Sequence, residues 1–245
     1  MSDRRRAFFA AMLLAAVGLS GCQGITSTSA QLRIIDASPD AGVIDSYQNS
    51  SALAYNLGFG TMTSYIPMSP GVYNLAANKA GTRQTLVASS ETLAPNGQYT
   101  EIIGAGLANL QQTLLLDQSA PATSGRIDLR VINQTTHSGA VDVYLVPLAS
   151  TPGKGTSSPL AVNLGFGANS GYIDLPEGTY AIEVVPTGTL LTSSTVTLFS
   201  GAQVAYASGA VRTVVLIDQA TTPGVQHAAL TPGVQAIVAD DADEQ

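Results

Sequence analysis

The side chains on which most enzymes depend are scarce in this 245-residue sequence: two histidines (His137 and His227) and one cysteine (Cys22). Nucleophilic catalysis needs a base beside the nucleophile and a third group that orients the base. His137 falls in a polar turn and His227 near the C-terminus, neither within a Gly-x-Ser-x-Gly elbow, so no hydrolase triad is expected. Zinc requires Cys and His clusters that the sequence does not contain. Asp36, Ser38, Asp40 and Asp45 surround Gly42 at a spacing that partly matches a calcium-binding loop, without its bidentate Glu or helical flanks. Aspartate and serine are also ordinary turn formers, and Pro39 fits a turn, so these four are noted as candidates and no metal is assigned. Paired carboxylates for glycoside hydrolysis would have to come from Glu91, Glu101, Glu177 and Glu183, which are scattered over turns and strands. Gly58-Phe59-Gly60 lacks the Lys-Ser/Thr of a phosphate loop and reads as a turn or bulge with Phe59 packed inward. No cofactor is expected.

Composition frames these residues. The chain is 45% apolar and only 11% charged, with 24 glycines and 12 prolines, enough apolar content for a core and enough turn formers for a strand-rich fold. Ten basic against 17 acidic residues leave no basic footprint for nucleic acid. At the N-terminus, Arg4-Arg5-Arg6 precedes an apolar run from Ala7 to Leu19, too short to span a bilayer but fitting the apolar region of a signal peptide. The run ends in Leu19-Ser20-Gly21-Cys22, which resembles the lipobox of bacterial lipoprotein signals. That resemblance implies diacylglyceryl attachment at the Cys22 thiol, cleavage before it, and stable anchoring in a membrane. Gln23, rather than Asp, after the cysteine resembles the outer-membrane sorting signal of Gram-negative lipoproteins. Residues 24–30 read as a small, polar tether.

The rest of the chain repeats itself. Leu32-Arg33-Ile34-Ile35, Gly42, Asp45 and Tyr47 recur 97 positions later as Leu129-Arg130-Val131-Ile132, Gly139, Asp142 and Tyr144. Asn56, Gly58, Tyr65, Gly71 and Tyr73 recur 107 positions later as Asn163, Gly165, Tyr172, Gly178 and Tyr180. A period near 100 is that of a domain, not of a solenoid unit. Each copy shows short segments rich in Thr, Val, Ile and Tyr between turn signals, so the expected fold is all-β, two tandem immunoglobulin-like sandwiches. The expected boundaries are a signal segment at 1–21, the lipidated cysteine and tether at 22–30, domains at 31–120 and 125–219, and a C-terminal segment at 220–245. Leu116-Asp117-Gln118 and Ile217-Asp218-Gln219 are read as closing the two copies, with 235–239 either as an added first-strand-like segment on a free edge or as a frayed tail. Tyr73 and Tyr180, just past Gly turns, resemble tyrosine corners, with a half-buried strand tyrosine as the alternative. Arg33 with Asp45, and Arg130 with Asp142, are expected to pair across adjacent strands, with a ligand-binding arginine as the functional alternative.

The strings Leu32–Asp40, Val43-Ile44-Asp45-Ser46-Tyr47, Pro70-Gly71-Val72-Tyr73 and Gly97-Gln98-Tyr99-Thr100 resemble the bacterial family called domain of unknown function 4397. Asp36 stands where that family usually has His, and the second copy matches more loosely, chiefly through Val141-Asp142-Val143-Tyr144. The resemblance implies an envelope or secreted β-domain without established activity. The expected function is therefore a lipid-anchored envelope protein that binds or scaffolds, with a glycan or another envelope protein as partner. The alternatives are a hydrolase working at a cleft between the copies and a calcium-stabilised adhesin.

Overall fold

The structure is a computed structural model that describes residues 28–148, 158–219 and 233–242. The expected signal segment, Cys22 and His227 lie outside the described residues. Strands β1 (Ala30–Asp36), β2 (Ile44–Gln48), β3 (Ser51–Leu57), β4 (Ile66–Met68), β5 (Gly71–Lys79), β6 (Thr85–Leu93), β7 (Gln98–Gly104) and β8 (Gln111–Leu116) build the first half. They form two four-stranded sheets, in the orders β4-β1-β7-β8 and β3-β2-β5-β6. The second half contains β9 (Arg126–Asn133), β10 (Val141–Pro147), β11 (Ala161–Leu164), β12 (Asn169–Pro176), β13 (Gly178–Pro186), β14 (Phe199–Ser200), β15 (Val204–Tyr206), β16 (Val211–Asp218) and β17 (Val234–Ala242). Its sheets run β12-β9-β16-β17 and β11-β10-β13-β14, with β15 also on β13. The fold is all-β and of sandwich type, with a single 3-10 turn at Leu107–Asn109 among the described residues.

Strand alternation explains the layering. Successive side chains point to opposite faces, and in β1 Leu32 and Ile34 enter the core of the first sandwich with Ile44, Leu75 and Ile103. Ile35, on the other face, joins Ile102, Ile132, Val215 and Ile217 in a cluster drawn from both halves. The sheets containing β1 and β9 therefore cover each other, and their central strands are buried on both faces. That is why Val214–Ile217 reads as a continuous apolar run, and why Ile34 and Ile35, on opposite faces of β1, are both buried. Phe59 packs in this shared cluster, so its inward contact is made between the halves and not within its own sandwich.

The C-terminal strand corrects one sequence expectation. β17 pairs antiparallel with β16 from Asp218↔Val234 to Val211↔Ala242, the position that β8 holds beside β7. Residues 234–242 thus supply a last strand, not a first-strand-like one. Thr100 and Thr213 occupy equivalent sites, opposite Arg33 and Arg130 on the parallel neighbours. Counting from those threonines, the counterpart of Asp117 is Asp241, and Asp218 lies at the end of β16, where the first half has Ala105. The similar Asp-Gln pairs misled because the second half has a longer excursion, 219–233, before its last strand returns.

Candidate functional site

The polar residues repeated in the sequence meet in one place, between the two halves. Arg33 donates from Nη2 to Thr100 Oγ1 (2.7 Å) and to Asp241 Oδ1 (2.5 Å). Arg130 donates from Nε to Thr213 Oγ1 (2.9 Å) and from Nη2 to Asp117 Oδ1 (2.5 Å). Thr100 donates to Asp117 (2.6 Å) and Thr213 to Asp241. Each guanidinium lies over a tyrosine ring, Arg33 on Tyr65 at 4.6 Å and Arg130 on Tyr172 at 4.5 Å. The hydroxyls of those rings donate to Asp117 and Asp241 respectively, both at 2.8 Å. Burial, reinforced by the neighbouring carboxylates, keeps both phenols protonated well above the usual tyrosine range.

This ring is reciprocal: the arginine of each half reaches the aspartate of the other. Both arginines are 2% exposed. Planar guanidinium forks suit such a site because they satisfy several acceptors at once and stack on aromatic faces. The expected Arg33–Asp45 and Arg130–Asp142 pairs do not form, because β1 and β2, like β9 and β10, lie in opposite sheets of a sandwich. Asp45 accepts from the backbone amides of Asn56 and Gly81, both at 2.9 Å. Asp142 does the same with Asn163 (2.7 Å) and Gly188 (2.8 Å). Burial opposes its ionisation, but these hydrogen bonds win and hold its carboxyl below the usual range. Asn56 and Asn163 adopt φ of 54° and 53°, a left-handed conformation that asparagine tolerates better than most residues.

The remaining candidates have separate environments. Asp36 Oδ1 accepts from the Ser38 amide, whereas its buried Oδ2 has no partner. Desolvation raises this carboxyl to about 7. Its counterpart, Asn133, donates from Nδ2 to the carbonyls of Leu164 (2.8 Å) and Gly139 (3.3 Å). Asp40 accepts from the Leu107 amide, so Asp36, Asp40 and Asp45 are turned to different backbone groups, and the buried Ser38 hydroxyl has no partner in the protein. No group of three or more metal-ligating His, Cys, Asp or Glu occurs among the described residues. Glu101 is buried inside the first sandwich against Gln112, and desolvation raises it to about 7, with Glu91 adding to the shift. Glu177 is exposed in a turn, and Glu183 accepts from Ser200. His137 lies beside Asp218, which accepts from Thr136 and clamps that turn. Tyr73 donates to the Ser69 carbonyl (2.8 Å) and Tyr180 to that of Pro176 (3.0 Å), each four residues upstream.

The outer face of the β3-β2-β5-β6 sheet is the feature that the motifs did not disclose. Two adjoining clefts of about 660 Å³ and 460 Å³ lie on it, with Tyr47 and Arg83 lining both. Asn74, Ala76 and Asn78 of β5 line the larger one, and Tyr55 meets the edge of Tyr47 at a centroid distance of 6.2 Å. In the second half the same positions carry Ala181, Glu183 and Val185 beside Tyr144, by the register of β2 on β5 and of β10 on β13. There Leu191, from the loop at 187–198, packs on Tyr144, Val146 and Val185 and covers the face. A break in the repeat, Asn78 against Val185, was the signal available in the sequence.

Residues 30–144 match the family DUF4397, a domain of unknown function. The DUF4397 match starts at β1 and runs past β8 through β9 to Tyr144 of β10, so it contains both ring arginines and Asp117. No curated protein matches the sequence. Among solved structures, a leucine-rich repeat protein from Bacteroides thetaiotaomicron aligns over 76% of this chain and 25% of its own, at 12% identity and a TM-score of 0.21. The Bacillus anthracis TIE protein aligns over 86% and 43%, at 9% identity and a TM-score of 0.19. The chain thus spans a quarter and less than half of the lengths of these two proteins.

Proposed function

We propose that this protein is a lipid-anchored component of a bacterial envelope, built from two tandem DUF4397-type sandwiches and acting as a non-enzymatic binding module. The observation that carries the reading is the difference between equivalent faces: one is covered by its own loop through Leu191, and the other is left polar and open among the described residues. The groups that come together from both halves form a closed ring of charges that satisfy one another, which supports a structural role for that junction over a reaction between the halves. A rigid double sandwich on a short tether holds a recognition face away from the membrane.

Anchoring is tested through Cys22, which follows the apolar run. In a Gram-negative host fed an alkyne analogue of palmitate, the wild-type chain incorporates label and sediments with membranes. Cys22→Ala loses the label and the membrane fraction together. Labelling that persists in Cys22→Ala, or a wild-type chain found wholly in the soluble fraction, contradicts the anchor.

A further inference from the structure

We infer that the open face of the β3-β2-β5-β6 sheet is an oligosaccharide-binding groove, an inference that rests on the binding-module reading above and names its ligand class. A sugar ring presents an apolar face of C–H groups and a rim of hydroxyls that both donate and accept. The groove offers matching chemistry: the rings of Tyr47 and Tyr55, and the amides of Asn49, Asn74 and Asn78, which both donate and accept. Asn78 Oδ1 is itself buried and has no partner within the protein. Tyr55 is 65% exposed although it is large and aromatic, and its ring stands perpendicular to that of Tyr47. Ala76 and Ala88 make the lining shallow between the taller side chains, so a flat ligand can approach the sheet.

The lining disfavours other occupants. Arg83 is its one cation, and the Asp45 carboxylate is already held by two backbone amides, so the groove is nearly neutral toward a ligand. A polyanion would find a single positive charge. A peptide added as a strand needs a free sheet edge, whereas the central strands β2 and β5 under this groove are hydrogen-bonded on both sides. Peptide side-chain anchors need apolar pockets, and here the large apolar groups are two tyrosines with polar tips. The two clefts share Tyr47 and Arg83, and each has the volume of a ligand site, so together they suit a chain of sugar units better than a single one.

The second half supplies the internal control. Where the groove has Asn74 and Asn78, that half has Ala181 and Val185; Val185 is fully buried and lies under Leu191. The Tyr144 hydroxyl there donates to the Thr189 carbonyl of the covering loop. One scaffold is thus seen with its outer face filled by its own chain and with the same face polar and open.

The test uses the chain from residue 23 onward in affinity electrophoresis. The gels contain solubilised peptidoglycan glycan strands, lipopolysaccharide O-chain polysaccharide, or neutral α- and β-glucans. At least one polysaccharide retards the wild type. Tyr47→Ala, Tyr55→Ala and Asn78→Ala weaken that binding, by roughly tenfold for a tyrosine, with far-UV circular dichroism unchanged. Leu191→Ala, in the covered face, leaves it intact. Retardation by none of these polysaccharides, or retardation that survives in Tyr47→Ala and Tyr55→Ala, overturns the assignment. A photo-crosslinking residue at position 55, used in cells, separates the two levels of the reading. If an envelope protein is crosslinked and no polysaccharide binds, the sugar class falls and the binding module stands. If neither occurs, both fall.

Discussion

Arg130→Met destabilises the folded chain by about 3–5 kcal/mol, and Arg33→Met by a similar amount, although neither side chain reaches solvent. Each substitution removes one member of a buried set of two guanidinium groups and two carboxylates. Without Arg130, Asp117 keeps hydrogen bonds from Tyr65 and Thr100, and the nearest cation is Arg33 at 3.7 Å, which already serves Asp241. One net negative charge is then left in a desolvated place, and that residue of charge is the source of the loss. The charges are shielded from counterions, so the deficit depends little on salt, unlike that of a surface pair such as Arg126–Asp174. Removing charge evenly behaves differently. Arg33→Met combined with Asp241→Leu leaves a balanced Arg130–Asp117 pair and recovers part of the loss. Urea unfolding of wild type, Arg33→Met, Asp241→Leu and the double variant measures this cycle, with Arg130→Met unfolded beside them. Equal stability of wild type and Arg130→Met removes the structural role given to the ring.

Asp36→Asn has the opposite sign. At pH 8 it stabilises the chain by about 2–4 kcal/mol. The Asp36 carboxyl is raised from 3.8 to about 7 by burial, and its Oδ2 has no partner. Below pH 4 the group is protonated in both folded and unfolded chains, and its full stabilising contribution is present. As pH rises from 4 to 7 the unfolded chain releases its proton first, so stability falls, and above 7 the loss is constant. Three units of difference correspond to about 4 kcal/mol at most. Asparagine abolishes this dependence, and Asn133 shows how the amide fits: it donates to two backbone carbonyls and accepts from Thr135. The counterpart carbonyls are those of Leu57 and Gly42. Glu101, also raised to about 7, retains its own slope, so Asp36→Asn flattens only part of the profile. Urea midpoints at pH 5 and pH 8 provide the check. A variant less stable than wild type at pH 8 rejects the account and would be the outcome if Asp36 held a cation.

Much of the architecture was legible as strings of residues. The repeated Arg33/Arg130, Tyr65/Tyr172, Gly42/Gly139 and Asn56/Asn163 mark equivalent positions, and the glycines and asparagines of that set share positive φ angles. A strand such as β1 has two faces, but nothing in its residues told which strand lay across from Arg33. The carboxylate partner is Asp241, 208 positions away and on the last strand, whereas proximity along the chain favours Asp45. Such pairing is set by how two sheets stack, an outcome of side-chain packing over the whole interface. The open groove was hidden for another reason. Attention to residues kept identical between copies passes over Asn74/Ala181 and Asn78/Val185, where the copies diverge and where their surfaces differ in chemistry.

The central claim is that the two sandwiches form one cooperative unit, joined by the reciprocal arginine ring and the apolar cluster of Ile35, Ile102, Ile132 and Val215. Hydrogen exchange of the native chain in low urea, read by mass spectrometry, tests it directly. Amides of β1 and β7 and those of β9 and β16 exchange through one shared opening, with the same free energy and the same dependence on urea. Two well-separated free energies, one for each sandwich and both unaffected by Arg130→Met, would contradict it.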